Sequence, residues 1–215
     1  MAVLEVEFNQ LTVDQFKLLL NSNNKNFSVE WSTADYDQEI QFQVNNLNIK
    51  ERAAAVLVPI IVSDFELRVL LTLRSHNLKE HAGQVSFPGG QKEPDDKSII
   101  DTALRESYEE VGLIRSDVEM ICMLNPVRTL TNYLIRPVVG LVKGPYEFLL
   151  DRCEVAEIFE VPLSYFLNNE NLQKETYQWE TKQIPIYSYQ YRDYRIWGAT
   201  SLIIVDLIKR LSLKN

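Results

Sequence analysis

Two compact apolar runs begin the most regular part of the chain. The first is AAAVLVPIIV, residues 53–62, and the second is LRVLLTLR, residues 67–74, with the short stretch SDFE between them. Runs of this length that are rich in Val, Ile and Leu are typical of buried strands. We therefore predict that the two runs form a hairpin of core strands.

Further strand-like runs follow. QVSFPGG (84–90) predicts a strand that ends in a Pro-Gly-Gly turn, and three later runs are apolar enough to enter a sheet. These are VEMICML (118–124), LIRPVVGLV (134–142) and EVAEIFEVPL (154–163). The strands surround one central helix and no repeat is present, so the pattern favours an α+β layered fold over a doubly wound sheet.

Two amphipathic helices are predicted near the ends of the chain. LTVDQFKLLLNS (11–22) carries clustered leucines, and Thr12 with Gln15 has the spacing of a capping box. We interpret it as an N-terminal accessory helix. WGATSLIIVDLIKRL (197–211) predicts a closing helix because Ile203, Leu207 and Leu211 recur at four-residue steps. Trp197 and Gly198, at its start, are expected to be packing residues, and an aromatic contribution near a ligand is the secondary interpretation.

The central helix has both ends marked in the sequence. Ser98 and Asp101 form a capping-box pattern, and Gly112 is suited to a left-handed cap. Ile100, Leu104, Ser107 and Val111 then fall on one stripe, which is expected to pack, while Glu106, Glu109 and Glu110 share a neighbouring arc. One face of the helix is therefore expected to be buried and the next to be acidic.

The acidic arc has two interpretations. Most charged runs are solvated helix faces, and Arg105 stands four residues from both Asp101 and Glu109, which supports ordinary ion pairing. Glu106 and Glu110, however, are like charges four residues apart and would repel each other. A divalent cation would turn that repulsion into coordination, and magnesium prefers oxygen ligands. The preceding Gly89-Gly90 pair would let the backbone approach a phosphate ligand.

Composition limits the classes of partner. The 215 residues carry a formal net charge of -8, which disfavours a surface built to attract nucleic acid. No apolar run is long enough to span a bilayer and the first residues lack a signal-peptide pattern, so a cytoplasmic protein with no membrane partner is expected. Cys122 and Cys153 show no zinc spacing and are expected to be reduced thiols.

Two overlapping motifs make the chain resemble a known family. Gly89-Gly90, an acidic linker and RESYEEVGL (105–113) resemble the Nudix box, with Ser107 in place of an apolar residue and one extra residue in the linker. LLTLRSHNLKEHAGQVSFPGG (70–90) resembles the additional signature of the coenzyme A diphosphatase branch, except that Lys79 replaces an arginine. The similarity covers residues 53–211, so the expected organisation is an N-terminal helix and extension over 1–50 and a Nudix domain over 51–215.

The resemblance implies a Nudix-type α/β/α sandwich with a mixed sheet and a catalytic helix. It implies Mg²⁺ or Mn²⁺ held by Glu106, Glu109 and Glu110 with a backbone carbonyl of Gly89 or Gly90. Arg105 would position Glu109. The general base would be Glu154 or Glu157, with Glu154 preferred. Glu93, Asp95 and Asp96 are expected to solvate the linker, with Asp96 as an alternative outer ligand.

The resemblance also implies a small-molecule substrate. Coenzyme A would be cleaved to 3',5'-ADP and 4'-phosphopantetheine, and Arg74, Lys79 and His81 would form a cradle for anionic phosphates, including the 3'-phosphate. Two alternatives stay open: another Nudix substrate such as ADP-ribose, a dinucleotide or an RNA 5' end, and a catalytically silent ligand-sensing domain. The oligomeric state is also open, a homodimer being one alternative.

Overall fold

The structure, a computed structural model, describes residues 11–22, 52–63, 65–144 and 146–212. Most of the predicted extension over 1–50 lies outside these residues. Four α-helices are found in the described part of the chain: α1 (Val13–Ser22), α2 (Ile99–Val111), α3 (Leu163–Leu167) and α4 (Ala199–Ser212), with short 3-10 turns at Arg115–Asp117 and Asn169–Asn171.

Eleven strands accompany these helices in the same residues. They are β1 (Arg52–Val62), β2 (Leu67–Arg74), β3 (Val85–Ser86), β4 (Gly89–Gln91), β5 (Val118–Met123), β6 (Val127–Arg128), β7 (Tyr133–Lys143), β8 (Val155–Pro162), β9 (Gln173–Trp179), β10 (Lys182–Tyr191) and β11 (Tyr194–Trp197). The predicted strands and both terminal helices are therefore present.

The strands β1 to β8 form one mixed sheet. The predicted hairpin is confirmed, because β1 and β2 pair antiparallel with Ile60 opposite Val69. β1 also pairs in parallel with β7 along its whole length, and the central order is β3-β2-β1-β7-β5. β4 pairs with β1, β6 with β7 and β8 with β2. The α+β class with a mixed sheet is thus confirmed.

Both faces of the sheet are covered by helices. Successive side chains of a strand point to opposite faces, so Leu57 and Ile61 pack with α2 while Val58 and Ile60 pack with α1 and α4. This alternation explains why β1 reads as a continuous apolar run, since neither face meets water. The result is the helix-sheet-helix layering that the family resemblance implies.

Helix α1 is part of the core. Its capping box is confirmed, since the Thr12 amide donates to Gln15 Oε1 at 2.9 Å and the Gln15 amide donates to Thr12 Oγ1 at 3.2 Å. Phe16 and Leu20 are fully buried in the same cluster as Val58 and α4. The helix described as accessory therefore packs directly on the layer that carries α4.

The Gly89-Gly90 pair corrects one prediction. Instead of a turn, the two glycines lie in strand β4, with Gly89 opposite Val56 and Gly90 opposite Ala55 of β1. A side chain at Gly89, whose φ is 156°, would come within 2.3 Å of the Ala55 carbonyl oxygen. Glycine is therefore needed for close approach of two backbones, which is a requirement of packing rather than of a turn.

A second sheet was not predicted. Strands β9, β10 and β11 form an antiparallel sheet in the order β11-β10-β9, with tight connections at Glu180 and Arg192, both at positive φ. Tyr189 and Ile196 anchor it to the core beneath α4. As for membranes, none of the helices in the described ranges has the length and apolar character needed to cross a bilayer.

Candidate active site

Helix α2 begins and ends where the sequence predicts. The Ser98 hydroxyl accepts a hydrogen bond from the Asp101 amide at 3.1 Å, and Gly112 closes the helix in the left-handed region with φ of 74°. Ser107 is buried on the packed stripe, where its hydroxyl donates to the Ala103 carbonyl at 2.6 Å. That hydrogen bond satisfies the hydroxyl and explains how serine replaces an apolar residue there.

Glu110 is more buried than its place in the acidic arc predicts. Only 3% of the residue is exposed, because it lies two helical turns beyond Ala103 on the buried side. The Gly89 amide donates to its Oε2 at 3.2 Å, and Arg74 Nη1 lies 3.6 Å from Oε1. Burial raises the pKa of Glu110 to about 8, and the two contacts oppose that rise only in part.

Glu106 lies one turn earlier beside the backbone of β4. Its side chain is 15% exposed, and burial raises its pKa although Arg105 opposes the rise. A side chain at Gly90 would stand 2.5 Å from the Glu106 carboxylate. The second glycine therefore makes room for this carboxylate, so β4 and the acidic face of α2 are in direct contact.

Arg105 connects the linker to the helix. Its Nε and Nη2 donate to the two carboxylate oxygens of Asp96, both at 3.0 Å, and its Nη1 lies 3.0 Å from Glu106 and 2.9 Å from Glu109. The predicted pairing with Glu109 is therefore present, but Glu109 itself is exposed. A fork-like contact to Asp96 gives the guanidinium a defined orientation.

The expectation that Asp96 solvates the linker is wrong. Asp96 is 8% exposed, and it also accepts hydrogen bonds from the Thr102 hydroxyl at 2.9 Å and the Glu93 amide at 2.8 Å. These donors, Arg105 foremost, hold its pKa well below the usual range. Glu93 and Asp95 are exposed, as expected for linker residues. Asp96 therefore anchors the start of α2 and fixes Arg105.

The two candidate bases occupy different surroundings. Glu154, just before β8, lines the cavity that contains Glu106 and Glu110, and its charge contributes to the raised pKa of both. Glu157 instead accepts a hydrogen bond from the Tyr194 hydroxyl at 2.7 Å. The geometry thus supports the preference for Glu154 as the group that can reach a ligand.

The three residues of the expected phosphate cradle do not occupy one common site. Arg74 faces Glu110, and its buried Nε has no hydrogen-bond partner among the described residues. His81 lines the cavity, with φ of 57° and its Nδ1 3.0 Å from Gln84 Oε1. Lys79 is exposed and is absent from the described lining of the cavity. Arg74 is therefore placed at the carboxylates.

The cavity has a volume of about 650 Å³ and extends well beyond the carboxylates. Its lining also includes four aromatic residues of the second sheet: Tyr177, Trp179, Tyr187 and Trp197. Trp197 therefore lines the cavity, as the secondary interpretation of this residue allowed, and packing was not its main role. The alternation of apolar and polar residues in TYQW and QIPIY (176–179 and 183–187) is the strand signal that could have located this lining.

The carboxylates suit a divalent cation chemically. Glu106 and Glu110 supply oxygen donors next to the β4 backbone, and burial raises the pKa of both, so a bound cation would favour their charged forms. In the described ranges, no three His, Cys, Asp or Glu side chains are already gathered as a metal site. Arg74 and Arg105 contact these carboxylates instead, so a cation would compete with the two arginines.

The chain is similar to a known domain family and to named relatives. The NUDIX domain family matches residues 51–180. The chain is 39% identical over 186 residues to "Uncharacterized Nudix hydrolase NudL" of Photorhabdus laumondii, covering 85% of this chain and 99% of that protein. The protein of the same name from Yersinia pestis is 41% identical over 162 residues, covering 75% and 81%.

A solved structure also resembles the chain. A MutT/nudix family protein from Enterococcus faecalis matches with a TM-score of 0.49 and 17% identity, over 89% of this chain and 73% of that one.

Proposed function

Because the chain belongs to the Nudix family, we propose that it hydrolyses the diphosphate bond of coenzyme A, yielding 3',5'-ADP and 4'-phosphopantetheine. One observation carries the proposal. The two motifs recognised in the sequence meet at a single point, where Gly89 and Arg74 of the upstream signature both contact Glu110 of the catalytic helix. This contact supports a role for the upstream signature at the proposed reaction centre.

Glu106, Glu110 and a backbone carbonyl of Gly89 or Gly90 would hold Mg²⁺ or Mn²⁺ in this proposal, with Glu109 at the exposed margin. When bound, the cation supplies charge neutralisation for the diphosphate and polarises the phosphoryl group. The donor set fits, because carboxylate and carbonyl oxygens are the ligands that hard divalent cations prefer.

The protein's own groups would do the remaining work. Arg105, fixed by Asp96, holds Glu106 and Glu109 in place. Arg74 lies beside Glu110, and its Nε–H has no partner within the described part of the chain, so it can donate to a diphosphate oxygen. Glu154 lines the same cavity and would accept the proton of the water that attacks phosphorus, while the phosphate on the other side of the broken bond leaves.

The test is a panel of diphosphates incubated with the protein and Mg²⁺ or Mn²⁺, with products identified by mass. We expect coenzyme A to give the two products named above, with the Glu106→Gln variant as the inactive control. Hydrolysis of ADP-ribose but not of coenzyme A would contradict the substrate assignment. No hydrolysis of any member of the panel would contradict the enzymatic proposal itself.

A further inference from the structure

The small sheet β9–β11 carries large apolar side chains on both faces. Its register places Tyr177 opposite Ile184 and Trp197 opposite Ser188, and cross-strand partners project from the same face. With the two-residue alternation of strands, one face therefore carries what we call the aromatic face: Tyr177, Trp179, Ile184, Ile186 and Trp197. The opposite face carries Tyr189 and Ile196, which are buried beneath α4.

The aromatic face borders the cavity. All five of its residues line the cavity, as do Pro185 and Tyr187 of the opposite face, but none of the five belongs to the two hydrophobic clusters formed by the described residues. The rings of Tyr177 and Trp197 lie 4.9 Å apart at 43°, so they are in contact at the cavity wall without stacking face to face. A methyl group added at the neighbouring Gly198 would meet nothing within 4 Å, so there is open space beside Trp197.

The same cavity reaches the diphosphate site, because its lining also includes Glu106, Glu110 and Glu154. A molecule whose diphosphate lies at these carboxylates would therefore place one of its two arms against the aromatic face. Flat aromatic side chains favour a planar ring as a partner, since stacking needs matching π surfaces. A flexible aliphatic amide chain offers no such surface and loses more conformational freedom when it is ordered.

Resting on the proposed function, we propose that the aromatic face binds the adenine ring of the substrate, with Trp197 and Tyr177 as its main contacts. The residues that break the diphosphate and the residues that select the nucleotide half then lie at opposite ends of one cavity. The β9–β11 sheet is thus assigned a role in specificity, in addition to its packing on α4.

Binding of the two products separates the arms of the substrate without turnover. Isothermal titration with 3',5'-ADP, ADP and 4'-phosphopantetheine in Mg²⁺ is compared for the wild type, Trp197→Leu, Tyr177→Leu and Trp197→Phe. We expect Trp197→Leu to weaken both adenine nucleotides about tenfold and Trp197→Phe to retain most of the affinity. Phosphopantetheine affinity should stay within twofold of wild type, which also shows that the variants are folded.

Tyr194→Leu is the matched control, because Tyr194 lies on the same strand as Trp197 but on the opposite face. It should leave the affinities for all three molecules unchanged. Equal affinity of adenine nucleotides for wild type, Trp197→Leu and Tyr177→Leu would overturn the inference, and so would a loss confined to phosphopantetheine. If the wild type fails to cleave coenzyme A but binds ADP through Trp197, the proposed function fails and the adenine assignment stands.

Discussion

Two parts of the cavity region are built differently; we call them the α2 end and the β9–β11 end after the elements that form them. At the α2 end, charged groups are held by a dense set of contacts: Arg105 alone reaches Asp96, Glu106 and Glu109. At the β9–β11 end, the aromatic rings of Tyr177 and Trp197 contact each other and line the cavity, and the Arg195 guanidinium lies 5.3 Å from the Trp197 ring centroid. The charged end needs fixed geometry for chemistry, whereas the aromatic end needs only shape and flatness. A change at the first end should therefore affect turnover, and one at the second should affect choice of ligand.

The largest expected effect is at Glu110. Glu110→Gln should lower kcat on the order of 10²–10³-fold, because a neutral amide cannot offset a divalent cation at the buried position closest to Gly89. Glu109→Gln is the matched control, since Glu109 is exposed and should cost less than tenfold. Steady-state kinetics at saturating Mg²⁺ measure both variants. Near wild-type kcat in Glu110→Gln would place the catalytic cation elsewhere.

Stability without metal should depend on pH through the same residue. The pKa of Glu110 is raised from 4.5 to about 8, so the folded protein keeps a proton that the unfolded chain has released between these values. The stabilisation that this raised pKa gives the folded protein is therefore complete below about pH 4.5 and is lost as the pH rises through 8. In EDTA, the free energy of unfolding of wild type should fall by a few kcal/mol over this range, at ~1.4 kcal/mol per pKa unit.

Glu110→Gln should remove most of that fall, since glutamine does not titrate. Urea unfolding at pH 5 and pH 8 for both proteins measures the difference. Parallel pH dependences for wild type and variant would show that Glu110 is not the titrating group.

Asp96 should matter for the fold of the charged end. Asp96→Ala removes the carboxylate that pairs with Arg105 and Thr102 in a buried position, so we expect a loss of roughly 2–3 kcal/mol in the free energy of unfolding. Asp95→Ala is the control, because Asp95 is the neighbouring and exposed linker residue. Equal stabilities of the two variants in urea would contradict the anchoring role of Asp96.

Arg74 is expected to have the smallest of these effects. Arg74→Ala should lower kcat/KM about tenfold for coenzyme A and for dephospho-coenzyme A alike, because Arg74 lies beside Glu110 rather than with Lys79. The sequence-based cradle would instead require a loss specific to coenzyme A, which alone carries the 3'-phosphate. Kinetics with the two substrates distinguish these positions. A loss of kcat/KM for coenzyme A alone would show that Arg74 contacts the 3'-phosphate.

The sequence by itself determined the elements whose signals are local. The ends of α2 follow from Ser98 and Gly112, whose side chain or lack of one acts on the adjacent backbone. The hairpin of β1 and β2 follows from two apolar runs separated by a short break. Part of the charged end was also predictable, because Arg74, Glu106 and Glu110 lie within two short motifs, 70–90 and 105–113.

Only the tertiary structure decided the burial of Glu110 and Asp96 and the strand at Gly89-Gly90. Each depends on a contact with another segment of the chain. Arg74 contacts Glu110, Arg105 contacts Asp96, and β1 pairs with β4. The aromatic face likewise exists because β9–β11, which comes late in the chain, packs against β3 and α4. Local propensity carries no information on such contacts, so the cavity wall that would select a ligand is a product of packing.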